Sequence, residues 1–225
     1  MLILGIDDAG RGPLIGPMIL AGVLINKEQE KYLKKSGITD SKLLLHEKRI
    51  SLSELIKKHL ISSYTVSTTA EQIDLSINSG INLNTLEAMK AAEIINNLNK
   101  GKEKIKVIVD CPSVNTIAWK NTLSGYIEKK ENLEIHCEHK ADFNHTSVSA
   151  ASILAKVRRE EEISKLRDKY KEFGNIGSGY PSDPITKEFL RKSGLSLKDS
   201  GIFRKTWSTW KSLFPEQGQK TLEEY

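Results

Sequence analysis

The chain is poor in cysteine and has no long apolar run, and each shortage argues against a class of protein. Only Cys111 and Cys137 occur in 225 residues, without C-x-x-C spacing or a histidine at zinc-finger distance. This pattern argues against a zinc site and predicts two small buried thiols. No apolar run approaches the roughly 20 residues that cross a bilayer, and no basic leader precedes the first apolar segment. We therefore expect a cytoplasmic protein, or a nuclear one in a eukaryote, with no membrane partner.

Low-complexity segments and internal repeats are also lacking, and the composition is typical of a globular protein. The basic charge is uneven along the chain. Residues 1–150 carry 19 basic against 18 acidic side chains, whereas residues 151–225 carry 15 against 11. A basic surplus in the last third indicates a surface that could bind a polyanion, although many solvated helix faces are equally basic.

The first seventeen residues, MLILGIDDAGRGPLIGP, combine an apolar strand with acidic and glycine-rich segments. Residues 2–6 have the branched, apolar character of a buried strand. Asp7 and Asp8 follow, and we expect the strand to end there, because consecutive side chains in an extended strand point to opposite faces. Glycines on both sides of Arg11 permit main-chain N–H groups to face an anion. The segment predicts a metal and phosphate site, whereas a solvated acidic turn is the commoner meaning of one Asp–Asp pair.

Strands and helices alternate along the rest of the chain. We predict strands over residues 17–25, 62–68, 106–110 and 133–139, with the first of these forming a hairpin with the opening strand. Helices are predicted over residues 47–60, 69–77, 82–98, 146–170, 184–192 and 203–213. Residues 27–35 are predicted to form a short polar helix or a loop. The long helix over 146–170 begins with small residues, which would let it lie close against a sheet. A glycine-rich loop over 174–184 carries Tyr180.

This alternation predicts an α/β protein with a mixed central sheet flanked by helices. We expect a catalytic domain over residues 1–195 and a C-terminal helical extension with a tail over residues 196–225.

Two further aspartates follow predicted strands. Asp110 ends the strand over 106–110, and Asp142 comes just after the strand over 133–139. Because strand ends converge in one crevice of an open α/β sheet, these groups can approach Asp7 and Asp8. Ligation by oxygen alone selects Mg²⁺ or Mn²⁺, and two such ions can clamp the attacking and leaving oxygens of a phosphodiester. The alternative is that some of these acids are helix caps or ion-pair partners.

Five segments together resemble ribonuclease HII, the type 2 ribonucleases H, and especially its archaeal branch. They are GIDDAGRGP, Asp40-Ser41-Lys42, VDCPS, HKAD followed by SVSAASILAKVRR, and GSGYPSDP. The resemblance implies a ribonuclease H-like fold and a metal-dependent endonuclease that hydrolyses the RNA strand of RNA/DNA hybrids. It also implies nicking on the 5′ side of ribonucleotides embedded in duplex DNA, and roles in ribonucleotide excision repair and RNA primer removal.

The resemblance also assigns residues. The ligands of two Mg²⁺ or Mn²⁺ ions would be Asp7, Asp8, Asp110 and Asp142. The turn Gly10-Arg11-Gly12 would grip the nucleotide that bears the 2′-hydroxyl, the group that distinguishes RNA from DNA. Lys42 and Ser149 would lie along the phosphate track. Tyr180 would pack on the deoxyribose that follows the ribonucleotide, although an ordinary loop aromatic packed over the core is the alternative for it.

One residue departs from the family pattern. The family normally has Glu where this chain has Asp8, so this ligand is one methylene shorter, about 1.5 Å less reach. Metal separation, rate and the preference between Mg²⁺ and Mn²⁺ depend on this difference.

The C-terminal part carries two more predictions. Gln219, Leu222 and Tyr225 resemble a truncated sliding-clamp-binding motif, in which Leu222 and Tyr225 would share one face of a helical turn. Docking of Tyr225 on the protein's own core is the alternative. Trp207 and Trp210 are expected to pack in the core, with the neighbouring Arg204, Lys205 and Lys211 available to phosphates.

Two other functions compete with this prediction. A type 3 ribonuclease H would share the fold but carries an additional N-terminal substrate-binding domain, for which this chain has no room. A catalytically weakened nucleic-acid-binding protein would keep the basic surface, and Asp8 is the one hint of it. We expect a monomer by default.

Overall fold

The structure is a computed structural model that describes residues 1–38 and 46–215. The predicted phosphate contact Lys42 and the predicted clamp-binding residues Gln219, Leu222 and Tyr225 lie outside the described residues. Within the described ranges, no helix is long and apolar enough to span a membrane.

A five-stranded mixed sheet forms the centre of the fold. Its strands are β1 (Leu2–Ala9), β2 (Met18–Ile25), β3 (Ser62–Thr68), β4 (Ile105–Asp110) and β5 (Leu133–Glu138), in the order β3-β2-β1-β4-β5. β1 pairs antiparallel with β2 and parallel with β4, and β4 pairs parallel with β5. The predicted mixed sheet and the hairpin of the first two strands are therefore confirmed.

The helices follow the predicted alternation with three differences. They are α1 (Lys27–Lys35), α2 (His46–His59), α3 (Ala70–Asn78), α4 (Leu83–Leu98), α5 (Thr116–Gly125), α6 (Ala141–Asn144), α7 (Thr146–Lys169), α8 (Pro184–Ser193) and α9 (Ser208–Leu213), with a 3₁₀ turn at Lys171–Phe173. The sequence pattern predicts neither α5, which buries only Trp119 and Leu123, nor the one-turn α6. α9 begins later than predicted because residues 202–204 bond instead to the backbone of residues 14–16.

The chain divides into two compact units. The first comprises Met1–Arg11, Met18–Ser67 and Ile81–Glu161, and the second comprises Gly12–Pro17, Thr68–Gly80 and the chain from Glu162 onward. The predicted division between residues 195 and 196 stays a prediction.

Two glycines fix how helices cover the sheet in the first unit. A Cβ on Gly5 of β1 would lie 2.2–2.4 Å from the backbone of Ser147 and Val148, at the start of α7. A Cβ on Gly22 of β2 would lie 2.3 Å from Cγ2 of Ile94 in α4. Ile6 is the partner of Gly22 in the ladder, and it follows Gly5 in the same strand. Because side chains alternate along a strand, α7 and α4 cover opposite faces of the sheet.

The second unit has its own aromatic core. Phe203 packs between Phe189 and Trp210, with ring centroids 6.4 and 4.8 Å apart, and Trp210 is buried as predicted. Leu14 and Ile15 belong to the same buried cluster. The segment that follows the predicted phosphate turn is therefore part of this core.

Candidate active site

The two adjacent aspartates lie within β1, not after its end. The ladder with β2 continues through Asp7 and Asp8 to Ala9, so the expected turn before this point is wrong. The apolar segment does not mark the end of β1, because β2 supplies ladder partners for β1 as far as Ile19, which pairs with Ala9. Since the pleat alternates, the two carboxylates point to opposite faces. Asp7 accepts a hydrogen bond from Ser152 of α7, whereas Asp8 faces Glu87 of α4.

Asp110 and Asp142 are brought together by the short helix α6. Asp110 is the last residue of β4, and its Oδ1 accepts a hydrogen bond from the amide of Ala141 at 2.8 Å. Ala141 begins α6 after Lys140, which has the left-handed φ of 57°. Asp142 is the next residue and is buried. The Asp110 carboxylate at the end of β4 thus fixes the backbone that carries Asp142.

Burial and mutual repulsion shape the ionisation of the β1 aspartates. Burial raises the pKa of Asp7 well above its usual range, and the charges of Asp8 and Asp110 add to the effect. Burial also raises the pKa of Asp8 to about 7, together with repulsion from Glu87 and Asp110. Arg11 and Lys156 act in the opposite direction on the pKa of Asp8. Asp7, Asp8 and Asp110 are therefore close enough to oppose one another's charge.

A hard divalent cation fits the chemistry of this set. Carboxylate oxygens are the preferred ligands of Mg²⁺ and Mn²⁺, and a bound cation would relieve the repulsion that raises the pKa of Asp7 and Asp8. Across residues 1–38 and 46–215, however, no group of three or more His, Cys, Asp or Glu side chains is arranged to hold a metal ion. The four-aspartate ligand set therefore stays a prediction.

The glycine turn after β1 is anchored through Arg11. Gly10 has a positive φ of 85°, which favours glycine. The Arg11 side chain donates from Nε to Glu87 Oε2 at 2.6 Å and from Nη2 to Asn84 Oδ1 at 2.5 Å. The guanidinium thus binds α4.

In the second unit, Gly12 and Tyr180 lie side by side. A Cβ on Gly12 would be 3.9 Å from Cε1 of Tyr180, whose side chain is 40% exposed. The amides of Leu14 and Ile15 donate to the Gly179 carbonyl at 2.8 and 3.2 Å. Trp207 donates from Nε1 to the Gly12 carbonyl at 3.2 Å. The glycine segment and the tyrosine loop are thus in direct contact, and the substrate contacts of Gly12 and Tyr180 stay predictions.

Asp183 holds the tyrosine loop in shape. Its Oδ2 accepts from the amide and the hydroxyl of Ser178 at 2.6 and 2.7 Å, and its Oδ1 accepts from the amide of Ile185 at the start of α8. These hydrogen bonds, led by the one from the Ser178 amide, lower the pKa of Asp183 to about 2. The carboxylate stays charged at any pH at which the protein would work.

Two predicted phosphate contacts occupy buried positions. Ser149 lies in the first turns of α7 and is buried, and its place on the phosphate track stays a prediction. The expectation that Arg204 is available to phosphates is wrong, because it is fully buried. Its Nε and Nη2 donate to the Gly16 carbonyl at 3.2 and 3.0 Å. The Lys205 side chain is 43% exposed, and its Nζ lies 3.6 Å from Oδ1 of Asp199.

Sequence reasoning missed Glu87, Asn84 and Lys156. Glu87 is only 2% exposed, and it lies one turn after Leu83 and one turn before the buried Ala91. A charged residue on the apolar stripe of a helix is a signal that could have revealed it, because buried carboxylates need a partner. Nothing in the local sequence marks Asn84 as a partner of Arg11, and Lys156 lies within the segment SVSAASILAKVRR, where the resemblance assigns it no role.

The family model described as Ribonuclease HII matches residues 4–210. The chain belongs to the ribonuclease HII family. Ribonuclease HII of Methanococcus maripaludis strain C6 is 40% identical over 222 residues, covering 96% of this chain and 88% of the relative. The family and its archaeal branch are therefore confirmed, and the chain is a metal-dependent hydrolase of the ribonuclease H class.

Solved structures share the fold. The crystal structure of the ribonuclease H2 from Pyrococcus horikoshii OT3 has a TM-score of 0.81 and 37% identity, covering 95% of this chain and 97% of that one. The structure of the PCNA:RNase HII complex from Archaeoglobus fulgidus has a TM-score of 0.80 and 34% identity, covering the whole of both chains. The predicted ribonuclease H-like fold is confirmed.

Proposed function

We propose that this ribonuclease HII family member hydrolyses the RNA strand of RNA/DNA hybrids and nicks duplex DNA on the 5′ side of an embedded ribonucleotide. The observation that carries the proposal is the position of Asp7, Asp8 and Asp110 near the ends of the paired strands β1 and β4, beside the turn anchored by Arg11. Such a cluster of acids suits a divalent cation, and the turn suits a phosphate. In the cell, this activity would serve ribonucleotide excision repair and RNA primer removal.

Each part of the site has a task in this proposal. Asp7, Asp8, Asp110 and Asp142 would hold two Mg²⁺ or Mn²⁺ ions, which when bound stabilise the attacking and leaving oxygens of the phosphodiester. The main chain of the glycine turn would face the nucleotide with the 2′-hydroxyl, and Tyr180 would pack on the next sugar. Hydrolysis uses water directly, so no side chain has to form a covalent intermediate. The products are a 3′-hydroxyl and a 5′-phosphate.

A nicking assay tests the proposal. Purified protein is incubated with three labelled duplexes that differ only in one strand: DNA, DNA with one ribonucleotide, and RNA. We expect cleavage of the last two in Mg²⁺ or Mn²⁺, a single nick 5′ of the ribonucleotide, and no cleavage after chelation by EDTA. Tight binding of the ribonucleotide duplex without any nick in either metal would support a nucleic-acid-binding protein instead.

The variant Asp8→Glu tests the departure from the family pattern. We expect the native chain to be active, because Asp keeps the charge and Asp7 keeps its position in β1. Asp8 and Asp7 point to opposite faces of β1, so a longer side chain at position 8 leaves the position of Asp7 unchanged. We therefore expect Asp8→Glu to change the metal preference and to alter the cleavage rate by no more than about tenfold.

The measurement is the cleavage rate of both proteins over a series of Mg²⁺ and Mn²⁺ concentrations. An inert native chain that Glu revives would contradict the expectation.

The tail adds a partner to the proposal. We propose that Gln219, Leu222 and Tyr225 bind a sliding clamp, supported by the motif and by the solved PCNA complex of the Archaeoglobus fulgidus relative. Deletion of residues 219–225 is expected to abolish clamp binding in a pull-down and to leave hydrolysis of a free ribonucleotide duplex unchanged. Clamp binding that survives the deletion would refute the motif.

A further inference from the structure

The side chain of Arg11 is held at two points by one helix. Glu87 Oε2 accepts from its Nε at 2.6 Å, and Asn84 Oδ1 accepts from its Nη2 at 2.5 Å. The two acceptors are three residues apart in α4, so they are neighbours on its surface. Hydrogen bonds from two of its three nitrogens, Nε and Nη2, fix the orientation of the planar guanidinium, and Lys in its place could not reproduce this arrangement.

Burial makes the contact with Glu87 costly to lose. The Glu87 side chain is 3% exposed, whereas that of Arg11 is 35% exposed. A carboxylate at this depth keeps its charge only with a charged or strongly donating partner, and hydrogen bonds between charged groups are the strong ones. Removing either side chain would take this charge-assisted hydrogen bond from the other.

The helix that holds Arg11 is itself fixed in place. The carbonyl of Asn84 accepts a hydrogen bond from Nε1 of Trp119, a buried residue of α5, at 3.0 Å. Further along α4, Ile94 packs directly on Gly22 of β2. Glu87 therefore connects the glycine turn to a rigid element that is packed on the sheet.

We propose that Glu87 is a positioning residue that acts through Arg11. By fixing the guanidinium, it fixes the main chain of the turn that follows Asp8, including Gly10 with its positive φ. The inference rests on the proposed function, in which this turn grips the ribonucleotide. Glu87 thereby sets where the nucleotide is held without contacting it, and Asn84 shares the task.

A double-mutant cycle on kcat and KM separates this role from a direct effect of the Glu87 charge on Asp8. The variants are Glu87→Ala, Arg11→Ala and their combination, assayed on the duplex with one ribonucleotide. The control is Glu93→Ala, which removes a carboxylate of the same helix that pairs with Lys90 at its surface. Glu87→Gln, which keeps the shape and one acceptor oxygen, serves if Glu87→Ala fails to fold, as judged by circular dichroism and thermal unfolding.

We expect each single variant to lower kcat/KM about 100-fold, mainly through kcat, because misplacement by about 1 Å has an effect of this size. The double variant should be no worse than the poorer single variant, since both remove the same contact. Glu93→Ala should stay within about threefold of the native chain, and Glu87→Gln should lose less than Glu87→Ala.

Two results would overturn the proposal. One is a double variant whose loss is the product of the single losses, which would mean that Glu87 does not act through Arg11. The other is a Glu87→Ala variant as active as Glu93→Ala while the native chain nicks normally. A native chain that nicks no ribonucleotide duplex would instead overturn the proposed function, and this proposal with it.

Discussion

Asp110→Asn is expected to lower metal-dependent nicking at least about 100-fold while leaving the protein folded. The amide oxygen of Asn can still accept the hydrogen bond from the Ala141 amide, which Asp110 accepts at 2.8 Å. The backbone that carries Asp142 should therefore keep its place. What disappears is one negative charge from a set that we propose to bind two cations. A 100-fold loss corresponds to about 2.7 kcal/mol of transition-state stabilisation.

The stability of the same variant gives a second readout. Because Asp110 repels Asp7 and Asp8, its charge raises the pKa of both and opposes folding in the absence of metal. We expect the metal-free variant to have an unchanged or higher Tm and to gain less from added Mg²⁺ than the native chain. Asp199→Asn, at an exposed position paired with Lys205, is the matched control for activity. Nicking by Asp110→Asn within threefold of this control would contradict the ligand assignment.

Gly5→Ala is expected to destabilise the fold by about 3 kcal/mol. The added Cβ would lie 2.2 Å from the carbonyl carbon of Ser147 and 2.4 Å from the amide nitrogen of Val148. These are backbone atoms in the first turn of α7, so no side chain can rotate out of the way. Either α7 must move from β1 or the strand must bend. Urea unfolding of the native and variant proteins, followed by circular dichroism, measures the difference.

The matched control is Gly125→Ala, at the end of α5, where no heavy atom lies within 4 Å of the new Cβ. Ala is the better helix former by up to about 1 kcal/mol, so this variant should be as stable as the native chain or slightly more stable. Equal stabilities for the two variants would show that α7 does not lie as close to β1 as the structure has it.

Local sequence patterns predicted the parts of the site that depend on local structure. An apolar strand followed by an acid is visible at Asp110, and the small residues at the start of α7 match its close approach to Gly5. Each of these signals lies within a few residues of the feature it predicts. That is why the sequence alone predicts the sheet, the glycine turn and the candidate aspartates.

Contacts between distant residues were out of reach of the same reasoning. Arg11 meets Glu87 across 76 positions, and Arg204 meets Gly16 across 188. The local sequence presents Arg204 as a basic residue available to phosphates, because its partner, the Gly16 carbonyl, is distant in sequence. The turn expected at Asp7 and Asp8 failed for the same reason, because β2 supplied the ladder partners that extended β1.

The contact between Arg204 and Gly16 also bears on the order in which the protein is made. The guanidinium that binds the Gly16 carbonyl belongs to Arg204, which is added to the growing chain 188 residues after Gly16. Phe203, which bridges to Ile15, arrives equally late. The second unit can therefore complete its core only after these later residues have been made, whereas β1 and β2 are close in sequence and can pair earlier. Until then, the apolar Leu14 and Ile15 remain exposed to chaperones and to other chains.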